Sequence, residues 1–254
     1  MQFAKNSPIK IVMLGAGGTG AHIATNLYRI LYTADRPVRF ILVDGDLVEE
    51  KNLARQHFTH ADLLQNKAQV LAERYSSVFE LEAEYVSEYI EDEQRLARLL
   101  EADIYRYRGN QAVETVILIG AVDNNRSRQM CDRVFHQAKN LIYIDSGNGE
   151  HSGQVVCGVR RGGRTYMKPV AAHYPDILED EDKFPSELSC AEASVSAPQS
   201  LMANVMAATA VNALIYNLVF CGELNVSSLT FSTKSVQMRS HIHKTKSKKE
   251  KKTI

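Results

Sequence analysis

The sequence predicts an α/β fold: a Rossmann-like, doubly wound, mostly parallel sheet with a late antiparallel extension. Three observations predict it. Residues 11–31, IVMLGAGGTGAHIATNLYRIL, join an apolar run to a glycine cluster and an amphipathic helix pattern. Strand and helix signals then alternate through the first 150 residues, the order that winds a sheet with helices on both faces. Late in the chain, residues 226–242 alternate like one or two further strands.

The elements follow in order. Residues 11–14 are a continuous apolar run, as a strand buried on both faces requires, and 21–31 repeat apolar side chains at helical spacing. A second strand is predicted at 38–43 (VRFILV), a helix at 67–78, a weaker strand at 81–86 and a charged helix at 91–100. The strongest buried strand is 115–120 (TVILIG). A helix over 124–138 and a strand at 141–144 (LIYI) come next. Residues 153–159 (GQVVCGV) suit another strand, 171–189 are acidic and irregular, and 197–221 form a long helix. That helix carries Gln199, Asn204, Asn212 and Asn217, so it reads as a buried helix and not as a membrane span. There is no internal repeat. One domain is expected over 1–242, with a basic, disordered tail at 243–254 that is almost all Lys, Ser and Thr.

With 254 residues the chain can bury a substantial core. Thirty basic residues balance thirty acidic ones, so charge indicates neither nucleic acid nor a membrane surface. MQFAKNSPIK at the start has no apolar signal core. The cysteines at 131, 157, 190 and 221 form no C-x-x-C pair and read as reduced thiols, which predicts a cytoplasmic protein. Cys131, Cys157 and Cys221 fall within regular patterns and are expected in the core.

Gly15, Gly17 and Gly20 fit G-x-G-x-x-G after the first strand, a turn whose backbone N–H groups can bind phosphate at a helix N-terminus. Many folds share this signal. Asp44, at the end of the second strand, suits ribose hydroxyls in a dehydrogenase and in a nucleotide-activating enzyme alike. Its alternative is a cap at the strand end, and Asp46 suits helix capping equally. The next stretch, VDGDLVEEKNLARQHF, separates the two classes by adding Asn52, Arg55 and Gln56. Lys67 opens the following helix, and AVDNN sets Asp123 just beyond a buried strand. A nicotinamide cofactor requires no cations there, whereas a polyphosphate about to be cleaved does. The pattern points to ATP, not NAD, with Asp123 free to hold Mg²⁺; Asp123 also suits the N-cap of the next helix. His57 and His60, three apart, have no carboxylate pair at ligand spacing and read as surface or cap residues.

These blocks resemble the ThiF/MoeB/HesA superfamily, the bacterial relatives of ubiquitin-activating enzymes. The likeness rests on G-A-G-G-T-G (15–20), V-D-G-D-x-V-E-x-x-N-L-x-R-Q (43–56), N-K (66–67) and V-D-N (122–124). It continues in S-G-N-G-E-H-S-G-Q-V (146–155) and S-C-A-E-A-S-V-S-A-P (189–198), so it covers most of 9–220. By length, by S-C-A-E-A-S and by the lack of cysteine pairs, the chain resembles most the PRTRC-system ThiF-type proteins of plasmid cassettes.

The resemblance implies that Gly15, Gly17, Gly18, Gly20 and Asp44 bind ATP. It implies that Asn52 and Arg55 contact its phosphates, that Lys67 neutralises them and that Asp123 coordinates Mg²⁺. The implied reaction is adenylation of the C-terminal carboxylate of a small ubiquitin-like or sulfur-carrier protein by a homodimer. Cys190 matches a place where some members carry a thiol that attacks the adenylate; its alternative is a small packing residue. Two departures matter. The paired C-x-x-C motifs of zinc-bearing members are missing, so no zinc is expected. Only Lys5 and Lys10 precede the first strand, where some members offer an arginine to the partner's ATP. Two other classes compete: a non-catalytic ATP-binding scaffold subunit, against which Arg55, Lys67 and Asp123 argue, and a Rossmann oxidoreductase, which the N-L-A-R-Q block disfavours.

Overall fold

The computed structural model describes residues 1–188 and 199–243. Cys190 and residues 244–254 of the basic tail lie outside the described residues. Strand β1 (Ile9–Leu14) is buried throughout and leads through the glycine turn into α1 (Gly18–Tyr32). Next come β2 (Val38–Val43), α2 (Lys67–Phe79), the short β3 (Glu84–Val86) and α3 (Glu93–Leu99). A hairpin of β4 (Ile104–Tyr107) and β5 (Asn110–Val113) precedes β6 (Thr115–Gly120) and α4 (Asn125–Gln137). The chain continues through β7 (Leu141–Asn148), β8 (Ser152–Arg161), β9 (Arg164–Met167) and the single turn α5 (Asp176–Glu179). It closes with α6 (Leu201–Tyr216), β10 (Val226–Ser232) and β11 (Gln237–Ile242).

Among the described residues nine strands form the main sheet, in the order β11-β10-β8-β7-β6-β1-β2-β3 with β9 beside β8. The run from β3 to β7 is parallel, and the strands beyond it are antiparallel. This is the doubly wound, mostly parallel sheet with a late antiparallel extension. Side chains of β1 alternate between two cores: Ile9, Ile11 and Met13 face α1, α2 and α6, while Val12 and Leu14 face the α3 and α4 side. Each of the α1 side chains Ile23, Leu27 and Leu31, buried on that face, contributes roughly 2 kcal/mol.

The register positions the site. Leu14 stands opposite both Val43 and Gly120, Val43 opposite Val86, and Gly120 opposite Asp145. The parallel strands therefore end together, and the loops after β1, β2, β3 and β6 leave from one edge, where open α/β sheets bind ligands.

The structure departs from sequence expectation in several places, among them the unpredicted strand β9. The hairpin at 104–113 was not anticipated; its strands have four residues each and expose Ile104 and Val113, so no buried face marked them. Strand β7 runs past 144 to Asn148 because β8 returns antiparallel and pairs Asn148 with Gly153. The long helix ends at Tyr216, and a wider π-helical turn, Asn217–Cys221, follows and stops at Gly222 with φ +66°. Cys221 on that turn is exposed, whereas Cys131 and Cys157 are buried; the wider turn rotates Cys221 off the packed face. By length and composition alone 201–221 could cross a membrane. Here α6 packs on α1, β7 and β8, and the buried Asn212 donates to the carbonyl of Ile23, so it is a core helix.

Candidate functional site

A cleft of about 730 Å³ opens at the carboxyl edge of the parallel strands. Eight of the predicted residues line it: Gly15, Gly17, Gly18, Asp44, Asn52, Arg55, Lys67 and Asp123. Gly15 has φ +94°, and a side chain on it would overlap the carbonyl of Ala121; only glycine turns the chain here. Gly17 caps α1 with no side-chain hydrogen bond, so the first N–H groups of the helix are left for another acceptor. Gly20 does not line the cleft. A side chain there would strike the Gly15 carbonyl, so this glycine lets helix and turn pack closely.

Asp44 accepts from the backbone N–H of Ala16 at 2.6 Å and of Asp46 at 2.8 Å. Burial pushes its pKa up to about 6; Lys67 pulls it down and the charge of Asp46 adds to the rise. Lys67, buried at the start of α2, donates to Asp46 Oδ2 at 2.7 Å. Burial raises Asp46, but Lys67 and the Tyr89 hydroxyl outweigh it and hold the carboxyl below its ordinary range. Asp46 is therefore the ion-pair partner of Lys67 and not a helix cap. The cap of α2 is Asn66, whose side chain accepts from Gln69 N–H at 3.0 Å and donates to the Asp44 carbonyl at 2.8 Å.

Asn52 is buried, and its Oδ1 accepts from Glu49 N–H at 2.9 Å, which closes the 3-10 turn Glu50–Asn52. One turn on, Arg55 donates to Gln199 Oε1 at 3.1 Å. Buried Gln56 also lines the cleft, and its Oε1 has no partner among the described residues. Asp123 is exposed in the cleft and makes no hydrogen bond or ion pair among the described residues, although its charge helps to raise the pKa of Arg128. It does not cap α4. Asn124 does, accepting from Ser127 N–H at 2.8 Å.

The sequence model of the ThiF family matches residues 2–253. This chain belongs to the ThiF family. Solved structures share the fold. E. coli MccB with AMPCPP and MccA is 20% identical with a TM-score of 0.60, covering 94% of this chain and 64% of that one. MccB with ATP is 20% identical at 0.61, again covering 94% and 64%. PaaA is 17% identical at 0.62, covering 92% and 64%. The ThiF-family chain thus spans 64% of the length of those proteins. No curated protein matches it.

Sequence reasoning missed several groups that line this ThiF-family cleft or pack directly behind it. Arg128, buried on α4, donates to Asp145 at 3.2 Å and to Asn125 at 3.0 Å. Its signal was its place one turn past Asn124, on the helix face that returns to the strand ends. Asn204 of α6 is fully buried behind the glycine turn; its Oδ1 accepts from Asn148 Nδ2 at 2.9 Å and lies 3.3 Å from the Thr19 hydroxyl. Tyr89, Ile90 and Glu91 line the rim after β3.

His57 is not a surface or cap residue. Its ring packs edge-on against His22 at 4.1 Å, Nδ1 lies 2.9 Å from the Thr25 hydroxyl, and burial lowers both imidazole pKa values. His60 is exposed. Among the described residues no three His, Cys, Asp or Glu side chains cluster as a metal site would require.

Proposed function

We propose that this ThiF-family protein uses ATP to adenylate a carboxylate of a peptide or small protein. The observation that carries the proposal is one cleft on which three segments converge: the glycine turn after β1, the β2–α2 connection with Asp44, Asn52, Arg55 and Lys67, and Asp123 after β6 all face it. Supporting it, structural neighbours include MccB solved with ATP, with AMPCPP and with MccA.

In the proposed step a carboxylate oxygen attacks the α-phosphorus of ATP. The bond from that phosphorus to the bridging oxygen breaks, and pyrophosphate leaves with the electron pair. The attacking carboxylate is already ionised at neutral pH, so no general base is required. What the step requires is screening between two anions and stabilisation of the leaving group. Arg55 supplies this, and Lys67 adds the charge that Asp46 does not take. Asp44 holds the ribose, and Asn52 supports the turn that carries Arg55. One free carboxylate suits Mg²⁺, which binds through one or two carboxylates and the substrate's phosphates. Asp123 would hold it, and the ion would supply further charge neutralisation on the phosphates.

The substrate in this proposal is a small ubiquitin-like or sulfur-carrier protein ending in a free carboxylate; after adenylation the Cys190 thiolate attacks the acyl carbon, the bond from that carbon to the AMP oxygen breaks, and AMP leaves with the electron pair to give a thioester. Leu188 and Gln199, the described residues flanking 189–198, both line the cleft. Cys190→Ser would then keep adenylation and lose any thiol-sensitive adduct seen by mass spectrometry. A homodimer in the cytoplasm completes the proposal. Met202 and Tyr216, 55% and 50% exposed on the outward side of α6, are the apolar surface a second copy would cover. The deciding test is titration with ATP and NADH side by side: ATP binds and NADH does not. Tighter NADH binding would return the cleft to an oxidoreductase.

A further inference from the structure

Arg55 is held by an amide. Its Nη1 donates to Gln199 Oε1 at 3.1 Å, and no carboxylate lies within ion-pair distance among the described residues. Several other arginines meet acids instead, Arg74 with Asp62, Arg128 with Asp145 and Arg133 with Glu93, while Arg36 donates to backbone carbonyls. The difference is chemical. A carboxylate would satisfy the guanidinium in a charge-assisted pair that a phosphate must displace. An amide oxygen orients it and leaves its full charge.

Gln199 is well placed for this. It directly precedes Ser200, the N-cap of α6, whose hydroxyl accepts from Ala203 N–H at 3.2 Å and anchors the start of the helix. One turn further, Asn204 Nδ2 is buried with no partner among the described residues. A side chain on Gly18 would overlap that nitrogen and come within 2.9 Å of Arg55 Nη1, so two donors converge beside the glycine turn.

We infer that Gln199 is a positioning residue for polyphosphate: it holds Arg55 at the glycine turn without neutralising it. The inference rests on the proposed contact between Arg55 and the ATP phosphates. Its test is calorimetric titration of the full chain with ATP and with adenosine, which lacks phosphates. Gln199→Met keeps the length and removes the acceptor; ATP binding weakens by about threefold or more while adenosine binding is unchanged, in line with loss of one hydrogen bond to a charged group. Gln199→Glu weakens ATP by about tenfold or more with no fall in melting temperature, because the new carboxylate captures the guanidinium. Repulsion by the added charge would give the second result without the first. In an Arg55→Ala background Gln199→Met has no further effect. An equal effect of Gln199→Met in both backgrounds, or none on ATP in either, would overturn the inference alone. An Arg55→Ala protein that binds ATP as tightly as the unaltered chain would overturn the phosphate assignment beneath it.

Discussion

The two rims of the cleft hold their cations by opposite chemistry. On the β2–α2 rim Lys67 is buried and paired with Asp46, which also takes the Tyr89 hydroxyl. Arg55, from the same β2–α2 connection, instead reaches the rim at the starts of α1 and α6, where it meets only the neutral amide of Gln199 among the described residues. At neutral pH the carboxylates of Asp44 and Asp46 outweigh the one charge of Lys67 on the first rim, and the second keeps a whole positive charge. An anion in the cleft therefore gains most of its electrostatic stabilisation from the rim that the acidic side chains leave alone, although a count of cations would rank the two as equal.

The largest break in that comparison is Arg55→Ala, which should weaken ATP binding by about 10- to 100-fold, the loss of a charge-assisted contact. Lys67→Ala should weaken it less, by roughly tenfold, because part of that charge is already spent on Asp46. It should also lower the melting temperature by leaving Asp46 unpaired. Equal losses of ATP affinity in the two variants would show that the ion pair opens when nucleotide binds.

Asp46→Asn sharpens the contrast from the other side. Removing the carboxylate frees Lys67, and ATP should bind tighter by a few-fold. Unchanged affinity would mean that Lys67 never reaches the phosphates. Asp123→Asn should leave the melting temperature nearly unchanged, within the range of surface substitutions, because Asn124 is the cap of α4. The gain in ATP affinity on adding Mg²⁺ should shrink. A collapse of stability with an intact Mg²⁺ response would make Asp123 structural.

The smallest effect concerns pH. Burial pushes Asp44 from 3.8 up to about 6, so the folded state binds its proton more tightly than the unfolded chain does. Its contribution to stability is full below the lower value and is lost as pH rises through the window to the upper one. Ligand binding runs the opposite way, since the ionised carboxylate is the better acceptor for ribose hydroxyls. Adenosine affinity should therefore fall as pH drops through about 6, and Asp44→Asn should bind weakly with no such dependence. Adenosine carries no titrating phosphate, so the midpoint reports on the protein.

The parallel half of the sheet was legible because its strands are buried on both faces and read as unbroken apolar runs. VRFILV became β2 and TVILIG became β6 without a shift of boundary. The hairpin at 104–113 was illegible for the converse reason: half-exposed strands of four residues carry no apolar period. Within the cleft, G-A-G-G-T-G and N-L-A-R-Q marked the right loops. Arg128 and Asn204 escaped because one is an arginine in a charged helix and the other an amide in an apolar one. Neither stands out until β7 and α1 are brought beside it.

What the sequence determined by itself is therefore the winding of the sheet, the glycine turn and the set of polar groups delivered to its carboxyl edge. These follow from periodicity and from backbone sterics, which are local. What only the tertiary structure decided is the pairing of those groups. Lys67 finds Asp46 across 21 residues and Arg55 finds Gln199 across 144, and Asn124 takes the cap for which Asp123 also qualified. Each choice is settled by about 1 kcal/mol of hydrogen bonding or ion pairing. Energies that small leave no period in a sequence, and they are realised only where packing of the two cores has already brought the partners within reach.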